Sequence, residues 1–458
     1  MDFLPTLGEW SGPLYLRIAD ALAADIAGGR LARGQQLPTH RALAKALGID
    51  LTTVTRAYNE ARRRGLIEAR VGQGTFVSET TVRAAPDGAP AVRIDLSMNV
   101  PPHPVEANLE VRIAQGLAEI QRRSGFTAFL NYQRPGGSDE DCGVATDWLR
   151  RRVPAARADR LVIYPGNQAA LFGALLALTQ PGDTVLAEAL TFPGIKAAAE
   201  ERGVRLVGVA MDADGIVPEA LEDACARHRP KAVYLVPTLN NPTTATLPPP
   251  RREAVASIIR RHDTVLIEDD VYGPLEPSAS PVANLIPERT YLATSLSKCI
   301  APALRVSYLL APDAAAAQAM RGVLQAMAQM APPLMVALAS HWLGQGIADQ
   351  IVAAIRDEAA GRQRLAGRLL KGLPFAARPH GHHLWLTLPP RRDRRAFVEQ
   401  VLREGLAVVA SDAFATTDDP PHAVRVALGA PRDRADLARG LVILAAAMRS
   451  AAAAVHIV

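Results

Sequence analysis

Between residues 161 and 312, seven short β-rich runs (LVIYPG, TVLAEAL, VRLVGVAM, AVYLVPT, TVLIEDD, TYLATS and VSYLLAP) alternate with helical, alanine-rich stretches. That alternation admits few folds. Strands separated by helical crossovers can lie parallel, and a parallel sheet must be covered on both faces. The reading is therefore an α/β domain, a mainly parallel sheet clad in helices, whose chemistry gathers at the carboxyl ends of its strands.

Several of those ends carry reactive or polar groups. YPGNQAAL sets Gly166, Asn167 and Gln168 at the start of a helix, where free backbone N–H groups and the helix dipole favour a phosphate. TFPG places Phe192 beside the next strand as a stacking face for a planar ring or as plain core, and PTLNNPTT offers Asn240 and Asn241 before a proline. IEDDVY puts Asp269, Asp270 and Tyr272 after a buried strand, where a carboxylate needs a cationic or hydrogen-bonding partner. SLSKCIAPALR brings Ser295, Ser297, Lys298 and Arg305 together. Each motif alone has an ordinary structural explanation. In this order they are the parts that hold pyridoxal phosphate: Lys298 as the Schiff-base lysine, nucleophilic once desolvation lowers its pKa, and Ser295, Ser297 and Arg305 on the phosphate.

The first eighty residues have a different character. Leu14, Ile18, Leu22 and Ile26 mark one helix face, Thr39 caps a second helix ended at Gly48, and a third runs from about Leu51 toward Gly65. Two strand-like runs in LIEARVGQGTFV, pinched at Gly72 and Gly74, form a wing. In such a helix-turn-helix the third helix enters the major groove, which places Thr52, Thr53, Thr55 and Arg56 against DNA. Arg62, Arg63 and Arg64 suit phosphate contacts or a solvated helix face. From Ser78 to Val92 the chain turns poor in large apolar residues, as a flexible connection would be.

The order PLYLRIADALAADI, GGRLARGQQLPTHRALAKALGI, TTVTRAYNEARRRGLIEARVGQGTFV resembles the winged helix-turn-helix of the GntR family of bacterial transcription regulators over residues 12 to 77. The resemblance implies that Arg41, in the LPTHR segment, contacts operator DNA together with the start of the third helix and the wing glycines Gly72 and Gly74. Many relatives carry a polar or basic residue where this chain has Leu51. The motifs GNQ, NNPT, EDDVY and SLSKxxxPxxR resemble fold-type I aminotransferases of class I, over roughly residues 94 to 448. That resemblance implies Asp269 on the pyridine nitrogen, Tyr272 and Asn241 on the ring hydroxyl, Phe192 on the ring face, and Tyr132 reaching the phosphate of a neighbouring subunit in a homodimer. It also implies Arg425, in AVRVALGAP, as the group for a substrate or effector carboxylate. The chain departs from the family pattern at Thr244, where glycine is customary, and at Ala303.

A GntR-type reader ahead of an aminotransferase-like domain is the arrangement of the MocR subfamily. The resemblance thus divides the chain into a DNA-binding domain at 1–78, a linker at 79–93 and a pyridoxal-phosphate-binding domain at 94–458. It implies a regulator that binds operator DNA and senses a small amine, an amino acid or pyridoxal phosphate itself; a working aminotransferase with an accessory DNA-binding module is the alternative. Composition agrees with a globular protein: 49% of the 458 residues are hydrophobic and 21% charged, with a formal charge of +5 that permits contact with phosphate. Cys142, Cys225 and Cys299 are too few and too far apart for a disulfide framework or a metal site, which points to a reducing cytoplasm. No secretory signal and no membrane span is expected.

Overall fold

In a computed structural model the chain is described over residues 14–27, 30–32, 34–63, 66–70, 74–77, 92–390 and 392–453. It divides into two compact units, Met1–Ala91 and Val92–Val458.

In the first unit, α1 (Leu14–Ala27), α2 (His40–Leu47) and α3 (Leu51–Arg63) precede a hairpin of β1 (Ile67–Arg70) and β2 (Gly74–Val77). The local signals are the expected ones. Thr39 accepts a hydrogen bond from the Ala42 amide and caps α2, and Gly48 ends it in the left-handed region at φ 64°. Ile18, Leu22, Leu43, Val54, Ala57 and Tyr58 close the core, and the Tyr58 hydroxyl donates to the Pro38 carbonyl at 2.9 Å. Asp50 starts α3 by accepting from the Thr52 amide at 2.7 Å and from the Thr52 hydroxyl. These bonds hold its carboxyl below the usual range.

In the second unit all seven β-rich runs form one sheet, in the order 161–164, 307–310, 290–295, 265–269, 232–235, 184–188, 205–209. Every neighbouring pair is parallel except those made by Ser307–Leu310, which runs antiparallel to both its neighbours. The reason is local. Only eleven residues separate Ser295 from Ser307, too short a connection for a helical crossover, so the chain turns back. A second, antiparallel sheet orders Phe375–Ala377, His383–Thr387, Ala423–Ala427 and Val409–Ala410. A two-residue strand, β3 (Ile94–Asp95), pairs in parallel with Leu406–Ala407. The three cysteines are buried and free. Among the described residues no helix is long and apolar enough to cross a membrane.

Candidate functional site

The central strand Val265–Asp269 ends in three acids whose environments separate them. Glu268 accepts the Val282 and Ala283 amides at 2.9 and 2.7 Å. Asp270 is gripped by both arms of Arg152, one at 2.8 Å. Asp269 meets no cation in a direct bond; it accepts from Asn167 Nδ2 at 2.9 Å and Tyr234 Oη at 2.8 Å. Burial raises its pKa to about 6 against the pull of those two bonds. Asp269 is thus the carboxylate with charge to give.

Asn167 opens the helix Asn167–Leu178 behind Gly166, which adopts φ 95° and adds no side-chain cap. The glycine is required by Arg305. A Cβ on Gly166 would fall 2.5 Å from the guanidinium, which lies along this backbone and donates to the Pro165 carbonyl at 2.7 Å. Arg305 itself is left-handed, at φ 51°. Nearby, Ser295 is buried and its hydroxyl accepts the Ser297 amide at 3.2 Å. Gln168 donates to the Gly194 carbonyl at 2.7 Å, and a Cβ on Gly194 would collide with Gln168 and the Phe192 ring. A bare backbone at 194 therefore lets Gln168 and Phe192 pack at the same strand end.

Lys298 donates to the backbone carbonyl of Asn99 at 2.6 Å, while its own carbonyl accepts from His382 Nε2 at 2.6 Å. Burial first, and the Arg425 charge second, lower the amine to about 8; Asp269 pulls the other way. Arg425, buried on the strand Ala423–Ala427, donates to Asn241 Oδ1 at 2.8 Å and to the Ser97 carbonyl at 2.5 Å, with its guanidinium 4.8 Å from the Phe414 ring centre. A guanidinium can only donate, so the oxygen of Asn241 faces it and the amide hydrogens point away. Thr244, three residues on, takes φ 66° while buried, the left-handed turn for which glycine is customary.

Asn99, His383 and Tyr234 complete the site, and sequence reading missed all three. Asn99 is 7% exposed and its Nδ2 lies 2.8 Å from Tyr272 Oη and 3.1 Å from His383 Nδ1. Burial and the Arg425 charge lower His383 to about 3, so the ring is neutral. Its Nε2 lies 3.1 Å from the Asn240 carbonyl and must carry the hydrogen, leaving Nδ1 to accept from Asn99. Because Asn99 donates to the Tyr272 oxygen, the phenol's own hydrogen is left for a third partner. SMNVPP and HHLWL carry no spacing that announces these roles, and Tyr234 reads as a strand residue among apolar neighbours.

Asn167, Gln168, Phe192, Asn241, Asp269, Tyr272, Ser295, Ser297, Lys298 and Arg305 thus lie at the strand ends of the large sheet, and Arg425 reaches Asn241 from the smaller one. Tyr132 is not gathered in; it stands 83% exposed after the turn Phe126–Phe129. In the first unit Arg41, Thr52 and Arg56 are exposed and Thr53 and Thr55 half-buried. Thr52 and Thr55 spend their hydroxyl hydrogens on Asp50 and on the Leu51 carbonyl, which leaves them as acceptors. Gly74 takes φ 114° in the hairpin, while Gly72 and most of the expected linker lie outside the described residues.

The chemistry of the donors fits pyridoxal phosphate. One carboxylate without a cation in contact, one desolvated amine, one phenol hydrogen, one amide NH2 and one uncapped helix start backed by an arginine and two serines converge. Asn99 Oδ1, Asn167 Oδ1 and Arg425 Nε, all buried here, have no partner among the described residues. Such atoms are costly unless something meets them.

The chain matches two family patterns: aminotransferase class I and II over residues 92–444, and bacterial regulatory proteins, gntR family, over 14–77. It is 29% identical to the HTH-type transcriptional regulator YdeF of Bacillus subtilis, over 97% of this chain and 96% of that one. It is 30% identical to the HTH-type transcriptional regulator YjiR of Escherichia coli, over 64% and 68%. Among solved structures, the α-aminoadipate aminotransferase LysN of Thermus thermophilus, complexed with N-(5'-phosphopyridoxyl)-L-leucine, superimposes with a TM-score of 0.72 at 24% identity, covering 79% of this chain and 93% of that one. The kynurenine aminotransferase of Pyrococcus horikoshii gives 0.73 at 22%, covering 79% and 92%. These two show the fold.

Proposed function

The chain belongs to the aminotransferase class I and II family and carries a gntR-family module ahead of it, as the MocR subfamily of transcription regulators does, and on that premise we propose that it binds pyridoxal phosphate on Lys298 and regulates transcription in response to a small amine or amino acid. The observation that carries the reading is one buried network in which Asn99 ties Lys298 to Tyr272, while Arg425 ties Asn241 to the same stretch of chain. Asp269 would take the pyridine nitrogen, Tyr272 Oη and Asn241 Nδ2 the ring hydroxyl, and Phe192 the ring face. Ser295, Ser297, Arg305 and the helix start at Asn167 and Gln168 would take the phosphate. Bound there, the cofactor supplies an aldehyde carbon that exchanges one amine for another. The chain's own part is to lower the Lys298 amine toward its neutral form, to hold a hydrogen on Tyr272 Oη directed into the site, and to offer Arg425 to a carboxylate.

Cofactor loading should therefore accelerate with pH, roughly tenfold per unit below the Lys298 pKa of about 8, and level off above it, because only the neutral amine is a nucleophile. A stopped-flow pH series of the visible band checks this; a rate flat from pH 6 to 9 would contradict it.

Regulation is tested with a DNA duplex selected from a random pool by the full-length chain. With cofactor loaded, at least one amine or amino acid should change duplex affinity fivefold or more, and Arg425→Ala should lose the response to carboxylate-bearing effectors. Arg41→Ala should weaken duplex binding about tenfold, the scale of one lost arginine contact, with cofactor loading unchanged. If loading and DNA binding fell together, the two functions would not be separable in the way proposed.

We further propose a homodimer. Val105, Leu130 and Tyr132 are 90%, 78% and 83% exposed, large side chains more naturally covered by a second copy. Sedimentation should give twice 48.8 kDa.

One observation favours a second reading, an active aminotransferase. The residues for amine exchange are all in reach, and the chain is 26% identical to the 2-aminoadipate transaminase of Thermus thermophilus over 73% of its length and 85% of that protein. Multiple turnover with an amino donor and a keto acid, with no effector-dependent change in duplex affinity, would decide for it.

A further inference from the structure

Inside the apolar run TVLAEAL one residue is out of place. Glu188 ends the strand Thr184–Glu188 wholly buried, and among the described residues no lysine or arginine bonds it. Its carboxyl serves the main chain. The Val236 amide, one residue past the strand Ala232–Leu235, donates to its two oxygens at 3.1 and 3.3 Å, and the Thr191 hydroxyl lies 3.5 Å from Oε2. An apolar side chain of the same size would leave that amide buried and unmet.

These bonds join segments that carry the site. Val236 leads into the loop of Asn240 and Asn241, and Thr191 precedes Phe192. The Thr191 amide donates to the Phe414 carbonyl at 2.9 Å, and the Thr416 hydroxyl shares its hydrogen between the Glu188 and Ala189 carbonyls, each at 3.2 Å. Gly208 makes room for that hydroxyl, since a Cβ there would collide with it. Phe414 is the ring beneath the Arg425 guanidinium.

Glu188 and Asp269 are two buried acids at the ends of strands separated by one other, and neither bonds a cation among the described residues. Tyr234, on the strand between, gives its hydroxyl hydrogen to Asp269. Asp269 thus accepts two side-chain bonds of 2.8 and 2.9 Å, whereas Glu188 has one amide and a distant hydroxyl. Carboxylates that repel through a dry interior do not both ionise, and the better-served one ionises first. Their acidities agree with the geometry. Burial pushes Glu188 up to about 8 against the pull of the Val236 amide, with the Asp269 charge adding to the rise, while Asp269 stands at about 6. At pH 7 one acid is therefore protonated and the other charged.

We propose that Glu188 works as an uncharged carboxylic acid, a positioning residue that fastens the segments carrying Phe192, Asn241 and Phe414 around the site and leaves the unpaired negative charge to Asp269. The proposal rests on the cofactor reading above, and it gives the pyridine nitrogen a single anion to meet.

Infrared spectra of the cofactor-free, full-length chain test the charge. At pH 7 the wild-type minus Glu188→Gln difference should show the C=O stretch of a protonated carboxylic acid. Glu268, also pushed up by burial, is common to both samples and cancels. A carboxylate signal instead overturns the proposal. Cofactor retention tests the positioning. Glu188→Ala should raise the dissociation constant for pyridoxal phosphate at least tenfold, and Glu188→Gln, neutral and of the same shape, should recover it to within threefold of wild type. An alanine variant within threefold of wild type, or a glutamine variant as weak as the alanine one, overturns the proposal; should the alanine variant not fold, the infrared difference and the glutamine affinity decide. A wild type with no visible band sinks the cofactor reading and the positioning role with it, whereas a carboxylate signal from a chain that does load sinks only the state assigned to Glu188.

Discussion

Lys298→Ala should give a folded chain that no longer turns yellow with pyridoxal phosphate and yields no borohydride-trapped adduct. The chain has four other lysines, and none resembles this one: Lys45, Lys231 and Lys371 are exposed, and Lys196 is half-buried with its amine already on the Asp412 and Ala413 carbonyls. Only Lys298 combines burial with a pKa brought down to about 8. The fold should survive because the side chain contributes one hydrogen bond, to Asn99, whereas the backbone carbonyl that accepts from His382 stays in place. Losing that bond costs about 1 kcal/mol, partly offset by no longer burying an amine, so the melting temperature should move by a few degrees at most. Absorbance, mass spectrometry after borohydride and a thermal melt read the three outcomes. A trapped adduct in the variant would refute the assignment of Lys298.

Arg152→Ala should be among the most destabilising single changes in the second unit, at about 3–5 kcal/mol, although Arg152 is far from any motif. Asp270 is almost wholly buried, and Arg152 meets both its oxygens from the loop after the helix Asp139–Leu149, adding a 3.3 Å bond to the Glu276 carbonyl. Truncation leaves a buried charge unpaired beside Asp269, whose own ionisation the Asp270 charge already opposes. Denaturant unfolding measures the loss. Arg152→Ala combined with Asp270→Ala should recover a large part of it, since both partners are then gone. A double variant as unstable as the sum of the singles would mean that the pair is not what stabilises this corner.

Much of this site was legible because local chemistry announced it. Gly166 before NQ, the acids after an apolar strand, and the lysine between hydroxyls and an arginine each sit where a strand meets a loop, and strand ends are short-range features. Thr39 and Gly48 bound α2 for the same local reason. EDD was readable as a cost but not as a solution. Which acid faces the site depends on Arg152, more than a hundred residues earlier, and on Tyr234 from the adjacent strand. Asn99 and His383 were invisible for a similar reason: one lies in a short extended stretch with no periodicity, the other is the second of two adjacent histidines. Their roles exist only where Asn99 meets His383 across 284 positions of chain.

The amino-acid order by itself determined the alternation of strand and helix, the separate three-helix module, and the grouping of a lysine with hydroxyls and an arginine at one strand end, since these follow from side-chain periodicity and from neighbours within a few residues. The tertiary structure alone decided that Ser307–Leu310 runs against its neighbours, that Asp269 rather than Asp270 is left without a cation in contact, and that the Ser97 and Asn99 carbonyls meet Arg425 and Lys298. Each of those outcomes is a competition for hydrogen bonds and burial among groups distant in the chain, and such a competition has no result until the packed core brings them within about 3 Å of one another.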